Sequence, residues 1–164
     1  MIAAELAERV RSRYEDVVVA RDEVTVVVEG ERLLDAVAFL RDDPELAFDV
    51  LSSVTATHWP DRAPTFWISS ELLSARHLHR IRVKVGADGA DPHVPSLTPL
   101  YAAADWHERE VFDFYGVIFD GHPELTRILL PDDWEGYPLR KTEELGGVNT
   151  RYKGAFIPPV DKRL

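Results

Sequence analysis

The 164-residue chain contains no cysteine. That excludes disulfides, thiolate nucleophiles and cysteine-held zinc or iron–sulfur clusters, so any electrons this protein serves must travel through something else. No apolar run approaches the roughly 18 residues of a membrane span. No basic segment followed by an apolar core opens the chain, so it reads as cytosolic and non-spanning. An excess of positive charge is missing too: the formal net charge is −10, which makes a poor general binder of phosphate backbones or anionic lipid. The glycines form neither G-x-x-x-x-G-K-[ST] nor G-x-G-x-x-G, and no serine sits in a G-x-S-x-G elbow.

What is present is ordinary for one soluble globular domain, with 45% hydrophobic and 29% charged residues. The charge is unevenly placed. From Arg140 to Leu164, six basic residues (Arg140, Lys141, Arg151, Lys153, Lys162, Arg163) face three acidic ones (Glu143, Glu144, Asp161), a net of +3 against −13 for the rest. A basic tail on an acidic body suggests an arm that docks on a neighbour.

Ile2, Leu6, Val10 and Tyr14 recur every four residues and predict an opening helix. DVVVA (Asp16–Ala20) and VTVVVE (Val24–Glu29) read as a hairpin. ERLLDAVAFLRDD (Glu31–Asp43) places Leu33, Val37 and Leu40 on one helical face, and Pro44 ends it. Three strands follow: one from Phe48 to Trp59, a second over Thr65–Leu72, and HLHRIRVKV (His77–Val85). In the last, His79, Ile81, Val83 and Val85 alternate with Arg80, Arg82 and Lys84, predicting a half-buried strand with a basic outer face. Gly86–Pro99, rich in Gly, Asp and Pro, reads as loop. The expected fold is α+β, a mixed and mainly antiparallel sheet with helices packed on one face, followed by an extended C-terminal arm. Residues 1–116 form the α+β body and 117–164 an irregular docking arm and tail, one domain overall. From Gly146 onward periodicity is lost, and the apolar FIPPV run there needs a surface to lie on.

The densest stretch is DWHEREVFDFYGVIFDGHPELTRILLPDDWEGYPLRK, Asp105 to Lys141. Asp105 followed by Glu108 matches a capping box, Val111, Phe114 and Tyr115 give an apolar face, and Gly116 supplies the stop. A helix over Trp106–Tyr115 is expected. Glu108 and Glu110 are two apart, so a helix points them about 200° from each other and they cannot act as an acid/base pair. His107-Glu108 lacks the second histidine of a zinc-protease helix, because Val111 stands there. His77 and His79 on one strand face could offer two ligands, but no third can be nominated; His58, His93 and His122 are scattered. Beyond Gly116 the chain must turn repeatedly, and irregular backbone of this length in a small domain is usually functional or held by a partner. No catalytic, cofactor-binding or metal residue is expected in this chain.

Taken together, Glu108-Arg109-Glu110, Asp113, Phe114 or Tyr115 before Gly116, Gly121-His122-Pro123, Leu125, Arg127-Ile128, Gly136 and Pro138-Leu139-Arg140-Lys141 closely resemble the signature region of the thirty-kilodalton subunit family of NADH-quinone oxidoreductase, respiratory complex I. His107, Tyr137 and Thr142 depart from the commonest pattern. The resemblance implies a peripheral component of the hydrophilic arm, on the cytoplasmic side of the cell membrane, seated on the large subunit that helps form the quinone cavity. It implies no cofactor in this chain; flavin, iron–sulfur clusters and quinone belong to partner subunits, which carry electrons from NADH to quinone coupled to ion translocation. The chain ends with no cysteine motif of a large subunit and so reads as unfused. Glu108, Arg109, Glu110, Arg127, Arg140 and Lys141 are then expected in buried or partner-facing ion pairs, with Asp113, Gly116, His122, Pro123 and Pro138 shaping the docking segment. Phe112, Phe114, Tyr115, Trp134 and Tyr137 supply aromatic area of the kind that dominates interfaces. Three alternatives stand beside this reading: an equivalent subunit of a membrane-bound hydrogenase, formate hydrogenlyase or deazaflavin-dependent dehydrogenase; a free-standing enzyme with Glu108 or Asp113 as general base; and a plain scaffold with no respiratory role.

Overall fold

The computed structural model describes residues 3–143. The expectations for the basic tail beyond Glu143, with its FIPPV run, lie outside these residues. In chain order the elements are α1 (Ala3–Arg11), β1 (Val17–Ala20), β2 (Glu23–Val28), a 3-10 turn (Gly30–Arg32) leading into α2 (Leu33–Asp42), β3 (Val50–His58), β4 (Phe66–Ser74), β5 (His79–Ala87), β6 (His93–Pro95), α3 (Ala104–Tyr115) and β7 (Ile118–Asp120). The five-stranded sheet runs β1-β2-β5-β4-β3. Its neighbours are antiparallel except β2 and β5, where Val24–Val28 lie parallel to Ile81–Val85. The fold is the mixed, mainly antiparallel α+β sheet that the alternation of short apolar strands and amphipathic helices dictates.

Period-2 patterning sends one parity of every strand inward. Val24, Val26, Ile81, Val83, Phe66, Ile68 and Val54 are buried against Leu6 and Val10 of α1, Val37 and Leu40 of α2, and Ala104 and Val111 of α3. All three helices therefore cover the same face. Fully buried large side chains such as Phe48 and Phe66 each contribute about 1.5–3 kcal/mol of transfer free energy. The opposite face, with Val18, Thr25, Val27, Ser69, Arg82 and Lys84, is left open. There Arg82 bridges Glu71 and Glu23, and the Lys84 ammonium lies 4.7 Å from the Trp67 ring centroid. Tyr101, in the turn before α3, donates its hydroxyl to the Phe48 carbonyl at 2.6 Å. Burial pushes its pKa up to about 12.

Two segments differ from the sequence-based expectation. Gly86–Pro99 is not all loop: β5 runs to Ala87, and β6 lies parallel to β7 (His93 beside Ile118, Pro95 beside Asp120). These three-residue strands find each other only because α3 turns the chain back between them, a pairing no local pattern announces. For the same reason the core does not stop at Gly116, since Val117 and Phe119 are buried within it. His77 and His79 do not share a strand either. His77 sits in the turn before β5, and Leu78 between them has a φ of 53°. Their rings stack at 5.4 Å, and the two Nε2–H groups bond the Pro44 and Leu46 carbonyls at 3.1 and 2.8 Å, pinning the turn after α2.

Candidate partner-docking site

The signature residues fall on α3 and on the chain that folds back along it. α3 begins at Ala104, and its N-cap is Ala103 with no side-chain cap bond, so the expected Asp105–Glu108 capping box is not formed. Tertiary partners win both acids. Asp105 meets His122, whose Nε2 lies 3.2 Å from its Oδ1 and 3.2 Å from its main-chain oxygen. Nδ1 of His122 accepts the Glu124 N–H at 3.1 Å, which leaves the proton on Nε2, facing Asp105.

Glu108 points the other way, into the protein, and is fully buried. Its Oε1 accepts the Leu97 N–H and its Oε2 the Ser96 hydroxyl, each at 2.6 Å. Ser96 Oγ in turn accepts the Thr98 N–H at 3.1 Å. Burial raises the Glu108 pKa, and the Ser96 and Leu97 bonds offset only part of that. No cation pairs with it among the described residues, so the expectation of an ion pair at Glu108 gives way to a hydrogen-bonded plug between α3 and the 96–98 turn.

Asp113 is the second fully buried acid. Its Oδ2 accepts three successive backbone N–H groups, from Ile128, Leu129 and Leu130, at 3.2, 2.8 and 2.8 Å. Its Oδ1 takes Arg127 Nη1 at 2.8 Å. Burial alone would push this carboxyl up, but the bonds from Leu130, Leu129, Arg127 and Ile128 together outweigh it and hold the pKa below the usual value. Here the expected buried ion pair is present. Arg127 also donates to the Gly136 carbonyl at 3.4 Å and lies over the Tyr137 ring at 5.6 Å.

Arg109 and Arg140 hold carbonyls rather than carboxylates. Arg109 donates to the Thr126 and Arg127 carbonyls at 3.2 and 3.3 Å while lying over Trp106. Arg140 donates to Tyr115 at 2.6 Å, Ala90 at 3.2 Å and Gly116 at 3.4 Å, with its guanidinium 4.6 Å from the Tyr137 ring centroid. Free carbonyls at a helix C-terminus carry partial negative charge, so a cation placed there is favoured. Gly116 makes this possible: with φ of 69° it ends α3 in the left-handed region, and a Cβ there would collide with the Tyr137 ring and stand 2.7 Å from Arg140 Nη2. Leu139 N–H bonds the Phe114 carbonyl at 3.2 Å, and Lys141 N–H bonds His58 Nδ1 at 3.0 Å.

His58 and Ser96 were missed by sequence reasoning. Neither sits in the dense stretch, and His58 lies 83 residues before its partner Lys141, so no local signal could single them out. Glu110 is exposed, as are Pro123 and the Lys141 side chain, and Pro138 is half-buried. Trp106, Leu129 and Leu139 are large apolar side chains left 60%, 60% and 47% exposed on α3 and the arm. Among the described residues, no three or more His, Asp or Glu side chains are grouped so as to hold a metal ion.

Fold and site together define a one-sided α+β scaffold bearing an ordered, non-periodic arm clamped along its last helix. The chain belongs to the family described as respiratory-chain NADH dehydrogenase, 30 Kd subunit, whose model matches residues 26–149. Relatives include an NADH-quinone oxidoreductase subunit of Mycolicibacterium smegmatis, 48% identical over 157 residues, covering 95% of this chain and 66% of the relative. Those of Mycolicibacterium gilvum (49% identical, covering 91% of this chain and 66% of the relative) and Mycobacterium tuberculosis (47% identical, covering 98% and 70%) carry the same name. The chain thus spans about two thirds of the length of the curated relatives it matches. Among solved structures, a trypsin-resistant fragment of Nqo5 superposes with a TM-score of 0.65 at 26% identity, covering 74% of this chain and 98% of the fragment. A chain of the membrane-bound sulfane sulfur reductase, an archaeal respiratory membrane complex, shares the fold, with a TM-score of 0.71 at 23% identity over 87% of this chain and 85% of that one.

Proposed function

We propose that this chain is a non-catalytic, cofactor-free component of the peripheral arm of NADH:quinone oxidoreductase, docked on the large quinone-site subunit on the cytoplasmic side of the cell membrane. Flavin, iron–sulfur clusters and quinone then sit in partner subunits, and this chain's part in electron transfer is to hold that assembly in shape. The observation that carries the reading is the arm itself. Residues 121–143 have almost no regular structure, yet Asp113, Arg109, Arg127 and Arg140 tie them along α3 at nearly every turn. Chain clamped so heavily, with Trp106, Leu129 and Leu139 still outward, fits a preformed docking surface with aromatic and aliphatic anchors. Among the described residues no helix is long and apolar enough to cross a membrane, which fits peripheral attachment.

A second reading is the equivalent subunit of a related membrane-bound hydrogenase-type assembly; the fold shared with a chain of an archaeal respiratory membrane complex is compatible with either. Affinity purification from membranes distinguishes them: flavin- and NADH-binding chains co-purify under the first reading, hydrogenase-type chains under the second. Recovery of neither would defeat both. Arg127→Ala removes the cation paired with buried Asp113 and is expected to lower the amount of assembled complex in the membrane. Normal amounts of complex with normal stability would refute the role given to the arm.

A further inference from the structure

We propose that His58 is a proton-operated latch on the arm: neutral, its Nδ1 lone pair holds the Lys141 N–H, and protonated, it releases the Lys141 backbone. The geometry fixes the tautomer. Lys141 N–H can only donate, so Nδ1, 3.0 Å away, must be the unprotonated nitrogen and Nε2 must carry the hydrogen. A proton added to the neutral ring can go only to Nδ1. There it replaces the acceptor with a second donor aimed at the Lys141 N–H, and the bond cannot survive.

The surroundings sharpen the effect. His58 is 8% exposed at the end of β3, stacked on Phe66 of β4 at 4.3 Å and 9°. The Arg140 guanidinium lies over that same Phe66 ring at 5.2 Å. Among the described residues the charged groups acting on the ring are Arg140 and Lys141, both cations and both from the arm; Phe66 offers no charge. Burial first, then these two cations, lower the His58 pKa, so the latch is closed at neutral pH and opens on acidification. Once charged, the imidazolium is a third positive group beside Arg140 and Lys141, with no carboxylate among the described residues to offset it. Arg140 keeps its bonds to the carbonyls at the end of α3, so it is not released with Lys141. The consequence for partner docking rests on the docking role proposed above; the latch itself does not.

The test is nuclear magnetic resonance of the full chain between pH 5 and 7.5, following the ring nitrogens of His58 and the exchange of the Lys141 amide corrected for its intrinsic rate. The Nε2–H tautomer is expected at neutral pH. Between the closed-state and open-state pKa values of His58, the opening constant at Lys141 should rise by up to about tenfold per pH unit. In His58→Asn the side-chain oxygen can stand near the Nδ1 position without titrating, and Lys141 protection should lose its pH dependence. His58→Phe keeps the stack but no acceptor, and should expose Lys141 at every pH. An Nδ1–H tautomer, pH-independent protection in the wild type, or an unchanged pH response in His58→Asn would overturn the latch. If His58→Phe does not fold, the wild type and His58→Asn decide. Because these readouts need no partner, a failure of the docking proposal leaves their outcome intact.

Discussion

Replacing Asp113 tests the arm clamp where it is most concentrated. The carboxylate is fully buried and serves four donors: the Ile128, Leu129 and Leu130 amides and the Arg127 guanidinium. In Asp113→Ala the three amides lose their acceptor, at about 1–3 kcal/mol for each that stays dry. Arg127 loses its counter-ion, and breaking a buried pair costs about 3–5 kcal/mol. The terms overlap because the four donors share one site. Arg127 is also 19% exposed, so water recovers part of its loss. A total of about 3–5 kcal/mol is expected. Asp113→Asn keeps one oxygen but turns an NH2 group toward donors, so it should fall between Ala and wild type. Acid should narrow the difference, since a protonated carboxyl can still accept from some of these amides. The folded-state pKa is depressed, so the stability due to ionised Asp113 is fully present above the unfolded value of about 3.9 and is lost as pH falls through the folded value. Denaturant unfolding of the full chain at neutral pH and below pH 4 measures both effects. An Asp113→Ala variant within about 0.5 kcal/mol of wild type at neutral pH, the range of a neutral surface change, would refute the clamp.

Glu108 should behave oppositely. Its folded pKa is raised by burial, so its contribution is greatest below the unfolded value of about 4.3 and is lost as pH rises through the folded value. Glu108→Gln can still accept from Leu97 and donate toward Ser96; it should stay within about 1 kcal/mol of wild type at neutral pH and flatten the pH profile, and an unchanged profile in denaturant melts would contradict this. Gly116→Ala should cost about 1–2 kcal/mol for its left-handed backbone, plus the displacement of Tyr137 and Arg140. Gly121→Ala, at φ of 87° with nothing within 4 Å of its Cβ position, should cost the backbone term alone. Equal melting temperatures for the two glycine variants would show that the arm does not press on Gly116.

Much of the fold is legible in the sequence because it rests on period. The alternation of His79, Ile81, Val83 and Val85 is the buried face of β5, and Leu33, Val37 and Leu40 are the buried face of α2. Gly116 does end α3 in the left-handed region. The site is less legible. Asp105 and Glu108 have the spacing of a capping box, and local chemistry favours one; a buried turn at Ser96–Leu97 and a histidine at 122 offer those carboxylates stronger partners. Arg140 and Arg109 look like ion-pair residues, yet they meet carbonyls that a helix end and an irregular strand of chain leave unpaired. Short pairings such as β6 with β7 carry no pattern of their own.

The sequence by itself determined the class of chain: without cysteine no thiolate-held cofactor is possible, and the signature from Glu108 to Lys141 marks the family. It also determined which residues face the core, since burial of apolar side chains at periods of 2 and 3.6 needs only neighbours in the chain. Which acids are buried, what each arginine holds and that His58 receives Lys141 were decided only by tertiary structure. Hydrogen bonds and desolvation depend on which groups, tens of residues apart, are brought within 3 Å and shut off from water, and local sequence encodes neither.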